Sequence, residues 1–206
     1  NGVTVDLMGF SLTGDGDIGD YGIHVAGATN AAIEDLLIKG GRISGFYRGL
    51  QCDYMNNSRI EQMAVSGNNN VGVYLYGGNS GQCDGNTIAN CTVSENANYG
   101  VLLNGFSGQC DGNTIQENRI SKNANRGINL QYADGNRVEA NHVWGTTGAA
   151  TTYGIRTTNT MNNFILKNTC VGQTNNFDLD PNDTYGPEVT NSGALAGTDP
   201  WANFSR

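Results

Sequence analysis

The chain has 206 residues, 30 Gly, 29 Asn, only 15% charged residues and a net charge of −8 at pH 7. This length fits one domain with a sizeable core and is too short for two full enzyme domains. The acidic balance argues against nucleic acid as a partner, because phosphates attract a Lys- and Arg-rich surface. No apolar run approaches the roughly 18 residues that a membrane span requires, so we expect no membrane span.

The sequence repeats itself. The segment Asn86–Asn96 matches Asn113–Asn123, which begins 27 residues later, and both follow the pattern N-x-[IV]-x-x-N-x-[IV]-x-x-N. Weaker copies begin at Asn136 and Asn163. A fixed period of this size indicates stacked repeats. A glycine followed by an apolar residue recurs with the pattern, at Gly22, Gly49, Gly72, Gly100, Gly127 and Gly154.

Each repeat holds three short apolar pieces separated by Gly or Asn, and none shows a helical period over ten residues. Such a unit buries its apolar side chains only by stacking on identical units. The pattern therefore predicts an all-β solenoid, a parallel β-helix of about seven coils over residues 1–180. The repeat stops after that, which predicts an irregular C-terminal capping segment over residues 181–206.

Asparagine recurs at the corners between the predicted strands. Asn tolerates a left-handed backbone, and its amide can bond to the equivalent Asn one coil away, at about 4.8 Å. We therefore expect structural ladders in two columns, Asn86/Asn113/Asn136/Asn163 and Asn118/Asn141/Asn168.

The register N-x-I-x-x-N-x-I-x-x-N-x-x-x-G-I-x-L resembles the right-handed parallel β-helix repeats of the pectin lyase-like superfamily, in its NosD-like branch of carbohydrate-binding proteins and sugar hydrolases. The opening segment Gly2–Gly14 is similar to a coil that often lies near the start of such helices. The resemblance implies a right-handed helix and an extracellular, cell-surface or periplasmic protein that acts on polysaccharide. Members carry further coils before this point, so we expect the helix to be truncated at its N-terminal end.

Outward-facing positions next to the recurring glycine form a stripe of aromatic and polar residues. Tyrosine alternating with arginine, beside amides and carboxylates, is suited to stacking on sugar rings and bonding to hydroxyls or uronates. The alternative is a cross-coil ladder that only holds the coils together. The substrate-binding candidates are Tyr21, His24, Tyr74, Tyr76, Tyr99, Arg126 and Tyr153.

Catalytic candidates are few. Polysaccharide cleavage needs paired carboxylates, or a base with a cation that acidifies the sugar's α-proton. Asp53 with Arg48 forms the first candidate cluster, and Arg156 forms the second. The clustered Asp pairs of the glycoside hydrolases of this fold and the Y-G-x-D-P-H motif of its uronate epimerases do not occur in the sequence.

Asp84, Asp111 and Asp134 each precede Gly-Asn at the same corner, which stacks three like charges one coil apart. Two interpretations remain open. The carboxylates accept backbone N–H bonds in the turns, or they bind Ca²⁺, which prefers carboxylate and carbonyl oxygens.

Five cysteines leave at least one thiol unpaired. Cys83 and Cys110 occupy the same place in twin segments, so stacking brings them within the range of a disulfide. The pattern leaves a bridge and two stacked free thiols as alternatives.

Two functions of different classes follow. The first is an extracellular polysaccharide-binding or polysaccharide-processing protein. The second is a non-catalytic structural or adhesive module. An open solenoid end exposes a strand edge and an apolar lumen, so we expect either further residues before this end or another copy of the chain that covers it. In the structural module that copy would belong to a fibre-like homo-oligomer such as a trimer.

Overall fold

The computed structural model describes residues 2–145, 152–190 and 199–206. These residues form strands and turns without a helix. The strands lie in three long parallel sheets, named here A, B and C, and one short two-stranded sheet formed by Ile33–Glu34 and Met55–Asn56. The described part of the chain contains no helix long and apolar enough to cross a membrane.

The three sheets take their strands in turn from each coil. Sheet A contains Thr4–Asp6, Leu37–Lys39, Arg59–Glu61, Thr87–Ala89, Thr114–Gln116, Arg137–Glu139, Phe164–Leu166 and Thr184–Tyr185. Sheet B contains Ser11–Thr13, Arg42–Ser44, Ala64–Ser66, Thr92–Ser94, Arg119–Ser121, His142–Trp144, Thr169–Val171, Asn203–Ser205 and Glu188–Val189. Sheet C contains Tyr21–Ala26, Arg48–Asp53, Val73–Tyr76, Tyr99–Asn104, Arg126–Gln131, Tyr153–Thr158 and Asn175–Asp178.

This arrangement confirms the predicted parallel β-helix. The solenoid rises through about six turns, slightly fewer than the seven predicted coils. The difference arises because the seven strands of sheet C are separated by six inter-coil steps. The segment 181–206 adds one short strand to sheet A and two to sheet B, so stacking continues after the sequence repeat has ended.

The core is a set of apolar columns inside the solenoid. The middle residue of each sheet A strand pairs with its equivalent in the next coil, and six consecutive members of this column are fully buried. Each such side chain contributes about 1.5–3 kcal/mol relative to an exposed one. The six are Ile38, Ile60, Ile88, Ile115, Val138 and Ile165.

The predicted asparagine ladders are present. Asn118 Nδ2 donates to Asn141 Oδ1 at 2.9 Å, and its Oδ1 accepts the Cys91 N–H at 2.9 Å. Asn86 Nδ2 likewise donates to Asn113 Oδ1 at 3.0 Å. These four asparagines and Cys91 are buried, so each ladder amide satisfies polar groups that water does not reach.

The expectation that the ladder asparagines themselves adopt a left-handed backbone is wrong. The left-handed residue is the one before the ladder position, with φ values of 66°, 62° and 61° at Gly85, Gly112 and Gly135. Glycine adopts this conformation without the Cβ clash of other residues. The asparagine that follows is therefore free to direct its amide along the column.

The recurring glycine of sheet C marks a tight corner. A Cβ atom placed on Gly49 would lie 2.4 Å from Val65 Cγ1 and 2.7 Å from the Gly72 carbonyl oxygen. Only glycine fits this approach between sheets B and C. This close approach recurs near the start of the sheet C strands, so it aligns the outward side chains of successive coils.

Candidate functional site

The outer face of sheet C carries a groove of about 430 Å³ near the N-terminal end of the solenoid. Its residues come from strands Tyr21–Ala26, Arg48–Asp53, Val73–Tyr76 and Tyr99–Asn104, and from the turn that follows. We call it the sheet C groove. It is lined by Tyr21, Arg48, Gln51, Asp53, Tyr74, Tyr76, Asn104 and Phe106.

A chain of polar side chains runs along the groove. Arg48 Nη1 donates to Gln51 Oε1 at 2.6 Å, and Gln51 Nε2 donates to Asp53 Oδ1. The other carboxylate oxygen, Asp53 Oδ2, lies 2.8 Å from His24 Nε2 in the preceding coil. Because Gln51 is buried, it fixes the side chains on both sides of it, and the arginine and the carboxylate keep their places relative to each other.

Aromatic rings surround this polar chain. Arg48 Cζ lies 4.7 Å from the centre of the Tyr74 ring and 5.9 Å from that of Tyr21. The Tyr76 ring lies 5.6 Å from the Tyr74 ring. Contacts of this type between a guanidinium and aromatic faces hold both partners in place. The groove therefore presents a pre-positioned cation between ring faces.

Tyr74 is a neutral phenol in this environment. Burial raises the pKa of Tyr74 to about 12, although a hydrogen bond from Asn104 and the nearby Arg48 charge lower it. Asn104 Nδ2 donates to the Tyr74 hydroxyl at 3.1 Å. The hydroxyl proton thus remains available for donation to a ligand at neutral pH.

The second predicted cluster lies elsewhere on sheet C. Arg156 is four strands from Arg48, about 19 Å at the usual strand spacing. Its Nε is 2.8 Å from Asp178 Oδ2, and its Cζ is 4.7 Å from the Tyr153 ring. The structure therefore does not bring the three catalytic candidates together.

Arg126 lies between two predicted tyrosines. Its Cζ is 5.1 Å from the Tyr99 ring and 5.5 Å from the Tyr153 ring. Burial lowers the pKa of Arg126, and the charge of Arg156 lowers it further. This part of the stripe fits the cross-coil ladder interpretation, since each guanidinium is stacked on a neighbouring ring.

Three groove residues lie outside the predicted set, namely Gln51, Asn104 and Phe106. Gln51 and Asn104 occupy the outward columns next to the glycine, so the repeat register predicted that both side chains face outward. A single amide side chain does not by itself indicate a binding site, so neither residue was predicted as part of one. Phe106 follows a sheet C strand in a turn, where the repeat predicts no contact.

The acidic column forms a ladder along the backbone. Asp84 Oδ1 accepts the Asp111 N–H at 2.7 Å, and Asp111 Oδ1 accepts the Asp134 N–H at 2.8 Å. Burial raises the pKa values of Asp84 and Asp134. These bonds match the turn interpretation, while calcium binding stays a prediction.

All five cysteines are buried free thiols. The structure thus contains the stacked free thiols rather than the bridge at Cys83 and Cys110. Burial raises the pKa of Cys91 to about 11 and the pKa of Cys110 well above its ordinary value. These thiols behave as small core residues.

Residues 13–194 match the family described as "Periplasmic copper-binding protein (NosD)". The chain belongs to this NosD family. A search of the curated proteins found no match.

Two solved structures share the fold of this NosD-family chain. A periplasmic alginate epimerase, AlgG, is 20% identical with a TM-score of 0.63, over 90% of this chain and 46% of that one. The Dettilon tailspike protein (gp208) is 19% identical with a TM-score of 0.55, over 90% of this chain and 41% of that one. The chain thus spans less than half the length of either, and at this identity the likeness shows the fold alone.

The family description raises the question of copper. The described residues contain no group of three or more His, Cys, Asp or Glu side chains suited to one metal ion. The two histidines lie on different sheets, in strands Tyr21–Ala26 and His142–Trp144, and the thiols are buried in the lumen. Copper prefers imidazole and sulfur ligands gathered at one point. The described side chains therefore do not fit a copper site.

Proposed function

We propose that this protein binds a polysaccharide in the sheet C groove, in an extracellular or periplasmic setting. The observation that carries the proposal is the cation Arg48, fixed by Gln51 and stacked between the rings of Tyr21 and Tyr74. The family description names a periplasmic protein, and one protein of the same fold is a periplasmic alginate epimerase. Both support this setting, and the epimerase also supports this class of ligand.

The groove has the parts that sugar recognition requires. Ring faces of Tyr21 and Tyr76 stack on the C–H faces of a saccharide. Arg48 pairs with a sugar carboxylate or donates to hydroxyls, and the Tyr74 hydroxyl adds a neutral donor. An extended chain fits an open groove on the surface of a sheet, because successive rings lie along it.

Asp53 lines the groove and His24 lies beside it, in contact with Asp53. This pair favours processing as a second function of the same groove. A carboxylate held 2.8 Å from an imidazole nitrogen orients the ring. Such an imidazole can accept a proton from a bound sugar while Arg48 neutralises the charge that develops. Binding and processing then depend on the same residues.

The experiment is a panel of neutral and uronic-acid polysaccharides, with and without Ca²⁺, assayed for binding and for unsaturated or reducing ends. We expect at least one polysaccharide to bind wild type and to bind Arg48→Gln at least about tenfold more weakly. If wild type forms product and His24→Gln does not, the processing function is added to binding. Binding that is equal in wild type and Arg48→Gln overturns the groove as the site. No binding across the panel overturns the proposal and favours the structural or adhesive module, which the continuous asparagine ladders would serve.

A further inference from the structure

The residue types on the outer face of sheet B change along the solenoid. One outward column contains only small hydroxyl side chains over five coils, namely Thr13, Ser44, Ser66, Ser94 and Ser121. In the next two coils the same column holds Trp144 and Val171. A column with only a structural role would keep the same residue type throughout. The last two coils therefore differ from the first five on this face of the sheet.

A depression of about 460 Å³ lies at these last coils. We call it the sheet B slot. It is lined by His142, Thr169, Val171, Phe204 and Arg206. His142 pairs in register with Thr169, and Thr169 pairs with Phe204. The two ring-bearing residues thus stand on either side of a floor formed by smaller side chains.

The width of the slot follows from the strand spacing. His142 and Phe204 are two strands apart, which separates their columns by about 9.6 Å. A flat ring in contact with both walls needs only about 7–8 Å, two contacts of 3.5–4.0 Å each. The additional space suits a puckered ring with hydrogens on both faces, which is the shape of a sugar.

Neighbouring residues hold one wall in place. The Trp144 ring lies 4.9 Å from the His142 ring, and Arg119 Cζ lies 5.3 Å from the Trp144 ring. On the other side, the Gly172 N–H donates to the Arg206 carbonyl oxygen at 2.9 Å, which ties the backbone of that wall to sheet B.

The charge of the slot is opposite to that of the chain. The protein carries a net charge of −8, yet among the described residues that line the slot Arg206 is basic and none has an acidic side chain. Arg119 adds a further positive charge behind Trp144. A local cationic site on an acidic protein selects an anionic ligand.

We propose that the sheet B slot binds one ring of an acidic saccharide, with its faces against His142 and Phe204 and its carboxylate on Arg206. The slot is separate from the sheet C groove, because it lies on another sheet and at the other end of the solenoid. This inference does not depend on the function proposed for the groove.

Trp144 provides a local probe. The chain has two tryptophans, Trp144 and Trp201, so the Trp201→Phe variant reports emission from Trp144 alone. The ligands are trigalacturonate, the neutral maltotriose and the flat carboxylate benzoate. We expect a saturable change in Trp144 emission with trigalacturonate, and at least about tenfold weaker responses to the other two.

Variants in the Trp201→Phe background locate the binding. His142→Ala, at an exposed position, should weaken trigalacturonate binding at least about tenfold. The control Arg48→Gln in the sheet C groove should leave the Trp144 response unchanged. The proposal is overturned by the absence of a saturable change, by equal affinity in His142→Ala, or by equal affinity for maltotriose or benzoate. Any of these outcomes leaves Arg48-dependent binding in the groove as a separate result.

Discussion

His24 Nε2 lies 2.8 Å from Asp53 Oδ2, and this contact joins the first coil to the second on the outer face of sheet C. About a third of the His24 side chain and a fifth of the Asp53 side chain are exposed, at 37% and 21%. The pair is therefore held in place and also open to a ligand. Through Gln51 the pair is coupled to Arg48, which places a fixed cation in the groove next to the imidazole and the carboxylate.

Arg48→Gln tests the importance of the cation. The change removes the stacking on Tyr21 and Tyr74 together with the bond to Gln51. We expect polysaccharide affinity to fall at least about tenfold, with a loss of about 1–2 kcal/mol in the free energy of unfolding. Titration calorimetry and urea unfolding measure the two effects. The matched control is Arg59→Gln on sheet A, where the side chain is 58% exposed and bonded to Glu61; an equal loss of affinity there would contradict a local role for Arg48.

Asn118→Ala tests the ladder. The side chain satisfies the Cys91 N–H and the Ile88 carbonyl and also donates to Asn141. Its removal leaves buried polar groups without partners, so the free energy of unfolding should fall by about 2–4 kcal/mol. Chemical denaturation compares it with Thr92→Ala, an exposed strand position. A loss below about 0.5 kcal/mol in Asn118→Ala would refute the ladder account.

Much of this architecture follows from the sequence. Asn118 and Asn141 recur at equivalent positions, and a repeat that stacks must bring them together, so the ladders were predictable. Arg48 and Asp53 were placed in one cluster because the column just before the recurring glycine and the second column after it were both expected to face outward. The burial of Gln51 between them was not predictable, because it depends on the side chains that cover it.

The parts that sequence reasoning missed lie where the repeat ends. Phe204 reaches sheet B through the segment 181–206, which has no repeat pattern to give its register. The approximately 19 Å between Arg48 and Arg156 follows from counting coils. Arg48 with Asp53, and Arg156, were predicted as two separate clusters, and the structure keeps them apart.

Asp84→Asn distinguishes the two interpretations of the acidic column. Burial is the main cause that raises the pKa of Asp84, and the charge of Asp111 raises it further. A raised carboxyl pKa means that the native state binds the proton more tightly than the unfolded state, so the ionised group destabilises the native state at neutral pH. This cost disappears as the pH falls through the native pKa.

The amide of Asp84→Asn keeps the oxygen that accepts the Asp111 N–H and removes the charge. We therefore expect the free energy of unfolding to rise by up to about 1 kcal/mol at pH 7, and this gain to shrink as the pH falls. Thermal unfolding with Ca²⁺ and with chelator measures it, beside the exposed loop change Asp15→Asn as control. A loss of stability in Asp84→Asn, together with a wild-type melting temperature that chelator lowers, would instead establish calcium at this column.

The number of free thiols can be counted directly with a thiol reagent. All five are buried free thiols with raised pKa values at Cys52, Cys91, Cys110 and Cys170, so native protein should react very slowly with a thiol reagent. Unfolding without reductant should then release five reactive thiols. A count of three would show that one pair, such as Cys83 and Cys110, is bridged.

The central claim is that polysaccharide binds in the sheet C groove. Hydrogen exchange of the backbone amides, measured with and without the best-bound polysaccharide of the panel, tests it most directly. The account predicts added protection in strands Arg48–Asp53 and Val73–Tyr76 and in the turn that contains Phe106, with none of it retained in Arg48→Gln. Protection confined to sheet A, or unchanged by Arg48→Gln, would contradict the account.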